Sequence, residues 1–154
     1  MDVAHSDASG GKEICAINSV NSLNNSNWDF SGLIWNGSVS SNFNTASNWT
    51  PAIAPASTNF VLIDGNYSNA PVISSATVKR LTMGPSKTSI LTVNTNLTVV
   101  EDVVILSHGT LKHADNSTAE TYKLNVSVGD DMVIASGGSI NVNTDLLHFQ
   151  KLQC

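Results

Sequence analysis

Two acid pairs, Glu101-Asp102 and Asp130-Asp131, are the residues of this chain best placed to do chemistry. Clustered carboxylates can hold Ca²⁺, a cation that takes a shell of oxygen ligands, with Asp64 or backbone carbonyls completing the set. The plainer reading is a pair of turns in which Asp oxygens accept backbone N–H bonds. His108 and His113 flank a short strand-like run, but no third and fourth ligand stand at metal-binding spacing, so they read as exposed turn residues. Cys15 and Cys154 lie near opposite ends of the chain and carry no Cys-x-x-Cys signature. Trp28, Trp35 and Trp49, all the tryptophans of the chain, fall in one short segment. They could stack on sugar rings as a carbohydrate-binding platform, or bury large areas as a cap. No nucleophile elbow, phosphate loop, zinc-binding His-Glu-x-x-His or dinucleotide turn is present, so the chain reads as a non-enzyme.

The acid pairs occupy equivalent places in an internal repeat. Asn96 to Lys112, NLTVVEDVVILSHGTLK, aligns without a gap on Asn125 to Asn141, NVSVGDDMVIASGGSIN, at an offset of 29 residues. Apolar runs in each copy end at small-residue turns, Ser107-His108-Gly109 and Ser136-Gly137-Gly138. A fixed offset of this kind marks stacked structural units, each burying its apolar face on the next. Stacking predicts that Val99 meets Val128, Ile105 meets Ile134, and Leu111 meets Ile140, and that the two acid pairs come near one another. Short β-branched runs also occur at 59–64, 70–73, 77–83, 89–93 and 97–100, separated by Asn, Gly and Pro turn formers, with no sustained helical period. The fold class expected is all-β, a right-handed parallel β-helix. Its wide turns would hold three strands and one bulging loop at Ala114 to Thr121.

At 154 residues the chain suits a single domain. Residues 1–27, small and polar, read as a flexible or poorly packed N-terminal segment. The Trp-rich stretch 28–58 reads as a cap over the open end of the first unit, 59–145 as the stacked turns, and 146–154 as a C-terminal tail or cap. Only 12% of residues are charged, the net charge is −5, and polarity rests on 21 Ser, 18 Asn and 13 Thr. Nucleic acid is excluded as a partner, because phosphate binding needs clustered Lys and Arg. No apolar run is long enough to cross a membrane as a helix, and no signal peptide is visible at the N-terminus. Seven Asn-x-Ser/Thr triplets, at Asn24, Asn36, Asn48, Asn66, Asn96, Asn116 and Asn125, are read as the product of this composition rather than as glycosylation sites.

The residues Trp35-Asn36-Gly37-Ser38, Ala46-Ser47-Asn48-Trp49, Phe60 to Asp64 and Ala70 to Ile73, followed by Gly-Asp-Asp-Met-Val-Ile-Ala-Ser-Gly-Gly-Ser-Ile-Asn-Val, resemble the right-handed β-helix modules of large secreted bacterial surface proteins. The same stretch, from Trp35 to Val142, is similar to the coils of autotransporter and filamentous-haemagglutinin-type adhesins. The resemblance implies a secreted or cell-surface location and a structural or adhesive role. It also implies partners among other surface proteins, further copies of the chain stacked end to end into filaments, or glycans. Polysaccharide-cleaving β-helix proteins supply the alternative expectation, weakened here because a calcium-dependent lyase wants a basic residue beside the metal and Arg80, the only arginine, lies in an ordinary strand-like run.

Overall fold

A computed structural model describes residues 1–17, 19–114 and 125–141, and the fold is all-β. Its strands, in chain order, are β1 (Asp2–Val3), β2 (Ile14–Cys15), β3 (Val20–Asn21), β4 (Trp28–Asp29), β5 (Leu33–Trp35), β6 (Trp49–Thr50), β7 (Phe60–Ile63), β8 (Val72–Val78), β9 (Arg80–Met83), β10 (Ser89–Val99), β11 (Val103–Ile105), β12 (Gly109–His113), β13 (Asn125–Val128), β14 (Met132–Ile134) and β15 (Ser139–Asn141). A single 3-10 turn, Ala46–Asn48, is the only helical element among the described residues.

Two larger sheets organise the chain. A six-stranded sheet runs β14-β11-β9-β7-β5-β6, and a five-stranded sheet runs β13-β10-β12-β15 with β8 also paired to β10. Within them every pairing is parallel except β5 with β6, at the outer edge. The long strand β10 shifts register between Val93 and Asn96. Its first half pairs with β12 and its second half with β13, so the five-stranded sheet has two panels. The chain therefore passes from the six-stranded sheet to one panel, then to the other, and back, in the same order each time.

The parallel register is the one the internal repeat predicts. Val99 lies beside Val128, Ile105 beside Ile134, and Leu111 beside Ile140. Inward-facing side chains consequently line up in columns, such as Val61, Leu81, Val103 and Met132, or Ile63, Met83, Ile105 and Ile134. The interior members from Val61 to Val103 and from Ile63 to Ile105 are fully buried, whereas Ile134, on the last strand of its sheet, is about half exposed. Each fully buried aliphatic side chain contributes about 1.5–3 kcal/mol from removal of apolar surface, before entropy is subtracted.

Two sequence expectations need correction. The run 77–83, read as one strand, breaks at Lys79: Val78 points inward from the five-stranded sheet and Leu81 from the six-stranded one, a spacing that alternation along one strand forbids. The runs 89–93 and 97–100, read as two strands, are one bent strand. Residues 1–27 pair internally, β1 with β3 and β2 with β4 (whose Trp28–Asp29 lies just beyond), in parallel. This segment is thinly packed, with Val3 and Ala16 its only buried apolar residues among those described. The loop expected at Ala114 to Thr121, beyond Ala114 itself, and the tail 146–154 lie outside the described residues.

The corner from β9 to β10, between the two sheets, is tight. At Gly84 (φ +63°) an added Cβ would stand 2.1 Å from the backbone nitrogen of Gly109, the first residue of β12. Gly84→Ala is expected to destabilise the protein by more than the roughly 1 kcal/mol of a simple left-handed penalty, because backbone would have to move. Leu81→Ala, at the centre of a column, should cost about 2–5 kcal/mol. Both are read from urea unfolding midpoints at constant m-value.

Candidate functional site

The aromatic segment is built around Asn48 and two tryptophans. Asn48 is fully buried. Its Oδ1 accepts the backbone N–H groups of Val39 and Ser40, each at 3.0 Å, and its Nδ2 donates to Ser40 Oγ and the Asn42 carbonyl. The buried carboxamide thus fixes the loop that carries Phe43 and aims Trp49 inward. Trp49 meets Trp35 edge-on at 5.0 Å between centroids and Phe43 at 4.8 Å. Both indole N–H groups are bonded, Trp35 Nε1 to the Asn69 carbonyl at 2.9 Å and Trp49 Nε1 to that of Phe43 at 2.7 Å. Gly37 (φ +54°) permits the approach of Asn69, since a Cβ there would stand 2.3 Å from the Asn69 carbonyl oxygen.

This geometry corrects the sugar platform. Trp35 and Trp49 are each 1% exposed and join the core with Leu33, Val61 and Ile63, so neither offers a face to a ring in solution. Trp28 stands apart, stacked on Phe30 at 6.2 Å and partly buried. The three tryptophans do not form one surface. Because Asn48 spends its whole carboxamide inside the fold, the triplet beginning there is not available for glycosylation in the folded protein.

The carboxylates behave differently. Asp102, Asp130 and Asp131 do converge, with one oxygen of each within 4.8 Å of the others, as stacking of the repeats requires. Glu101 does not join them: its carboxylate takes Arg80 Nε at 2.5 Å. The cluster also has a cation from elsewhere in the chain. Lys12 Nζ lies 2.8 Å from Asp102 and 3.3 Å from Asp130. These oxygens could serve a calcium ion only if Lys12 withdraws. His108, exposed, bonds Ser107 Oγ through Nδ1, and neither it nor His113 belongs to a metal-ligating group among the described residues.

Lys12 is one end of a charged row that sequence reading missed. Glu13 and Asp29 both bind Lys79 Nζ, at 2.6 and 2.8 Å. Arg80 donates through Nη1 to the Glu13 carbonyl at 3.2 Å and the Cys15 sulfur at 2.8 Å. Glu13 and Asp102 carboxylates lie 3.7 Å from the same guanidinium. Lys79 and Arg80 form one corner between sheets, Glu101 and Asp102 the next, and Asp130 and Asp131 the third, so residues 12–15 and 29 span three successive corners. The available signal was the scarcity of charge: between Glu13 and Lys79 only Asp29 and Asp64 are charged, and Asp29 is buried.

Burial by itself would raise the Asp29 carboxyl, but hydrogen bonds from Lys79 and Ser31 outweigh it and hold the group below its ordinary value. Asp102 shows the same balance, burial opposed by Lys12 and the Asp131 backbone N–H, and is also lowered. Lys79 loses by burial and gains more from Asp29 and Glu13, so it stays protonated well above its ordinary range. Burial pushes the Cys15 thiol up despite Arg80.

Residues 34–120, more than half of the chain, are matched by the model of a family described as Domain of unknown function (DUF8693). No curated protein and no solved structure matches the chain.

Asn48→Ala should cost about 2 kcal/mol, because it removes a fully buried carboxamide and with it the acceptor of the Val39 and Ser40 N–H groups; thermal unfolding measures it. For the carboxylates the sign is that of lowered groups. Their stabilisation is present above the ordinary value of 3.8 and is lost as pH falls through the lower folded-state values. Asp29→Asn is expected to lower stability at pH 7 and to flatten the loss that sets in as pH falls below 3.8, as followed in acid titrations of the unfolding midpoint.

Proposed function

The chain belongs to the DUF8693 family, and we propose that it is a non-catalytic structural or adhesive module of a secreted or cell-surface protein, built as a right-handed parallel β-helix. The observation that carries the reading is the recurrent order of strands: six-stranded sheet, first panel, second panel, with parallel partners and like residues in columns. Parallel strands joined by crossovers within one sheet are right-handed in nearly all proteins, which supports the hand. The buried trio of Trp35, Phe43 and Trp49, at the β5–β6 end, supports a capping role for 28–58.

A rod of this kind acts mechanically. Hydrogen bonds between turns run along its axis, and Ser, Thr and Asn side chains cover its faces, so it can space other domains or present a neutral surface to surface proteins or glycans. Contacts between copies would use the edges of β13, β14 and β15, whereas at the other end β6 runs antiparallel and is followed by Pro51, which has no N–H to offer a further strand, an arrangement that favours a closed pair of copies over an open filament. The carbohydrate-cleaving alternative receives less support, because Trp35 and Trp49 are buried and Lys12 occupies the acid cluster.

The architecture is tested by amide contacts in nuclear magnetic resonance spectra: cross-strand contacts linking Leu81 to both Val61 and Val103, and Val103 to Met132, are expected, and antiparallel contacts between these segments would refute the β-helix. The role is tested by immobilising the chain and passing neutral and acidic polysaccharides and extracellular-matrix proteins over it. Retention without breakdown is expected. Release of reducing or unsaturated sugar ends would overturn the non-catalytic reading.

A further inference from the structure

We propose that residues 1–29 form an ionic clasp, an N-terminal segment held along the side of the stacked strands by charge and able to detach as a unit while the strands behind it stay folded. The segment has little else to hold it. Its internal pairings are two-residue strands, and isolated two-stranded pairs are marginal in water. It buries only two apolar side chains among its described residues, Val3 and Ala16, and neither belongs to the apolar cluster of the main sheets. Its polar contacts with the body, in contrast, are concentrated in charged groups.

These groups face one another from every element at the contact. The clasp brings Lys12, Glu13, Cys15 and Asp29, and the three corners bring Lys79 and Arg80, Glu101 and Asp102, and Asp130 and Asp131. Lys12 bridges the second and third corners, Glu13 and Asp29 close on the first, and Arg80 is held between Glu13, Cys15 and Glu101. The pairs are graded in exposure. The Lys12 side chain is 56% exposed and that of Asp29 8%, so salt reaches the Lys12 end of the row first. Asp29 and Asp102 are held in the charged form, as are Lys12 and Lys79, and the clasp is therefore closed between about pH 4 and pH 10 and loosens beyond either limit. Trp28 gives detachment a built-in reporter: its indole belongs to the clasp, while Trp35 and Trp49 are sealed in the core and report on the body.

The test is hydrogen exchange followed by mass spectrometry on the full chain at pH 7, in low salt and in about 1 M NaCl, where charges are screened over roughly 3 Å. The expected result is exchange at least about tenfold faster (an equilibrium shift of about 1.4 kcal/mol) for amides of β2 and β4 in high salt, with amides of β7, β9 and β11 unchanged. Glu13→Gln with Asp29→Asn should reproduce the effect in low salt, and Lys87→Gln, a lysine whose bond is to Asn66, should not. Tryptophan emission should move to the red in step with exchange, and Trp28→Phe should abolish that movement. Acceleration of clasp and core together would show a single cooperative unit and overturn the proposal. So would clasp exchange that responds neither to salt nor to the double substitution. The salt experiment on the unaltered chain decides the matter if the double variant fails to fold.

Discussion

Parallel pairing in strict register is the constraint from which the rest follows. Once Val103 is hydrogen-bonded beside Leu81 on one side and Met132 on the other, the alternation of side chains along each strand decides which residues meet inside and which face water. A slip of one residue would turn the columns of Val, Leu and Ile outward and bring Thr and charged residues in. The same register sets the corners, and the corners set the charges: Asp102 and Asp131 approach because Val103 and Met132 do.

The wall and the ends of this structure are stabilised by different physics. The columns rely on apolar burial, which is non-directional and has no charges for salt to screen. The aromatic end relies on buried polar groups that are fully bonded, Asn48 above all, where each unsatisfied atom would carry a full desolvation penalty. The N-terminal segment relies on ion pairs at partly exposed positions, individually weak and collectively arranged in a row. A chain so poor in charge has placed nine of its 19 charged residues in one strip.

Much of the wall was legible in the amino acids, and the reason is length. Between Asn96 and Asn141 the offset is a constant 29, so identical environments fall at identical spacing and the repeat can be read directly. Earlier parallel pairs are more closely and unevenly spaced: Val61 pairs with Leu81 and Leu81 with Val103, offsets of 20 and 22 residues, and no ungapped alignment reveals them. The break at Lys79 was illegible because β-propensity continues through it, and only the parity of buried residues betrays the corner. The tryptophans showed that an apolar surface was being covered, but not that Trp35 and Trp49 would turn inward while Trp28 stayed with the N-terminal segment. The partners of Lys12 lie 90 and 118 residues away, a separation on which local pattern carries no information.

Within β10 only residues 94–95 separate the half that pairs with β12 from the half that pairs with β13, whereas eleven residues of sequence, 114–124, separate β12 from β13, yet both pairings keep their register. Length at that point is therefore decoupled from the architecture of the wall. An insertion between β12 and β13 would leave the pairing of each with β10 unchanged.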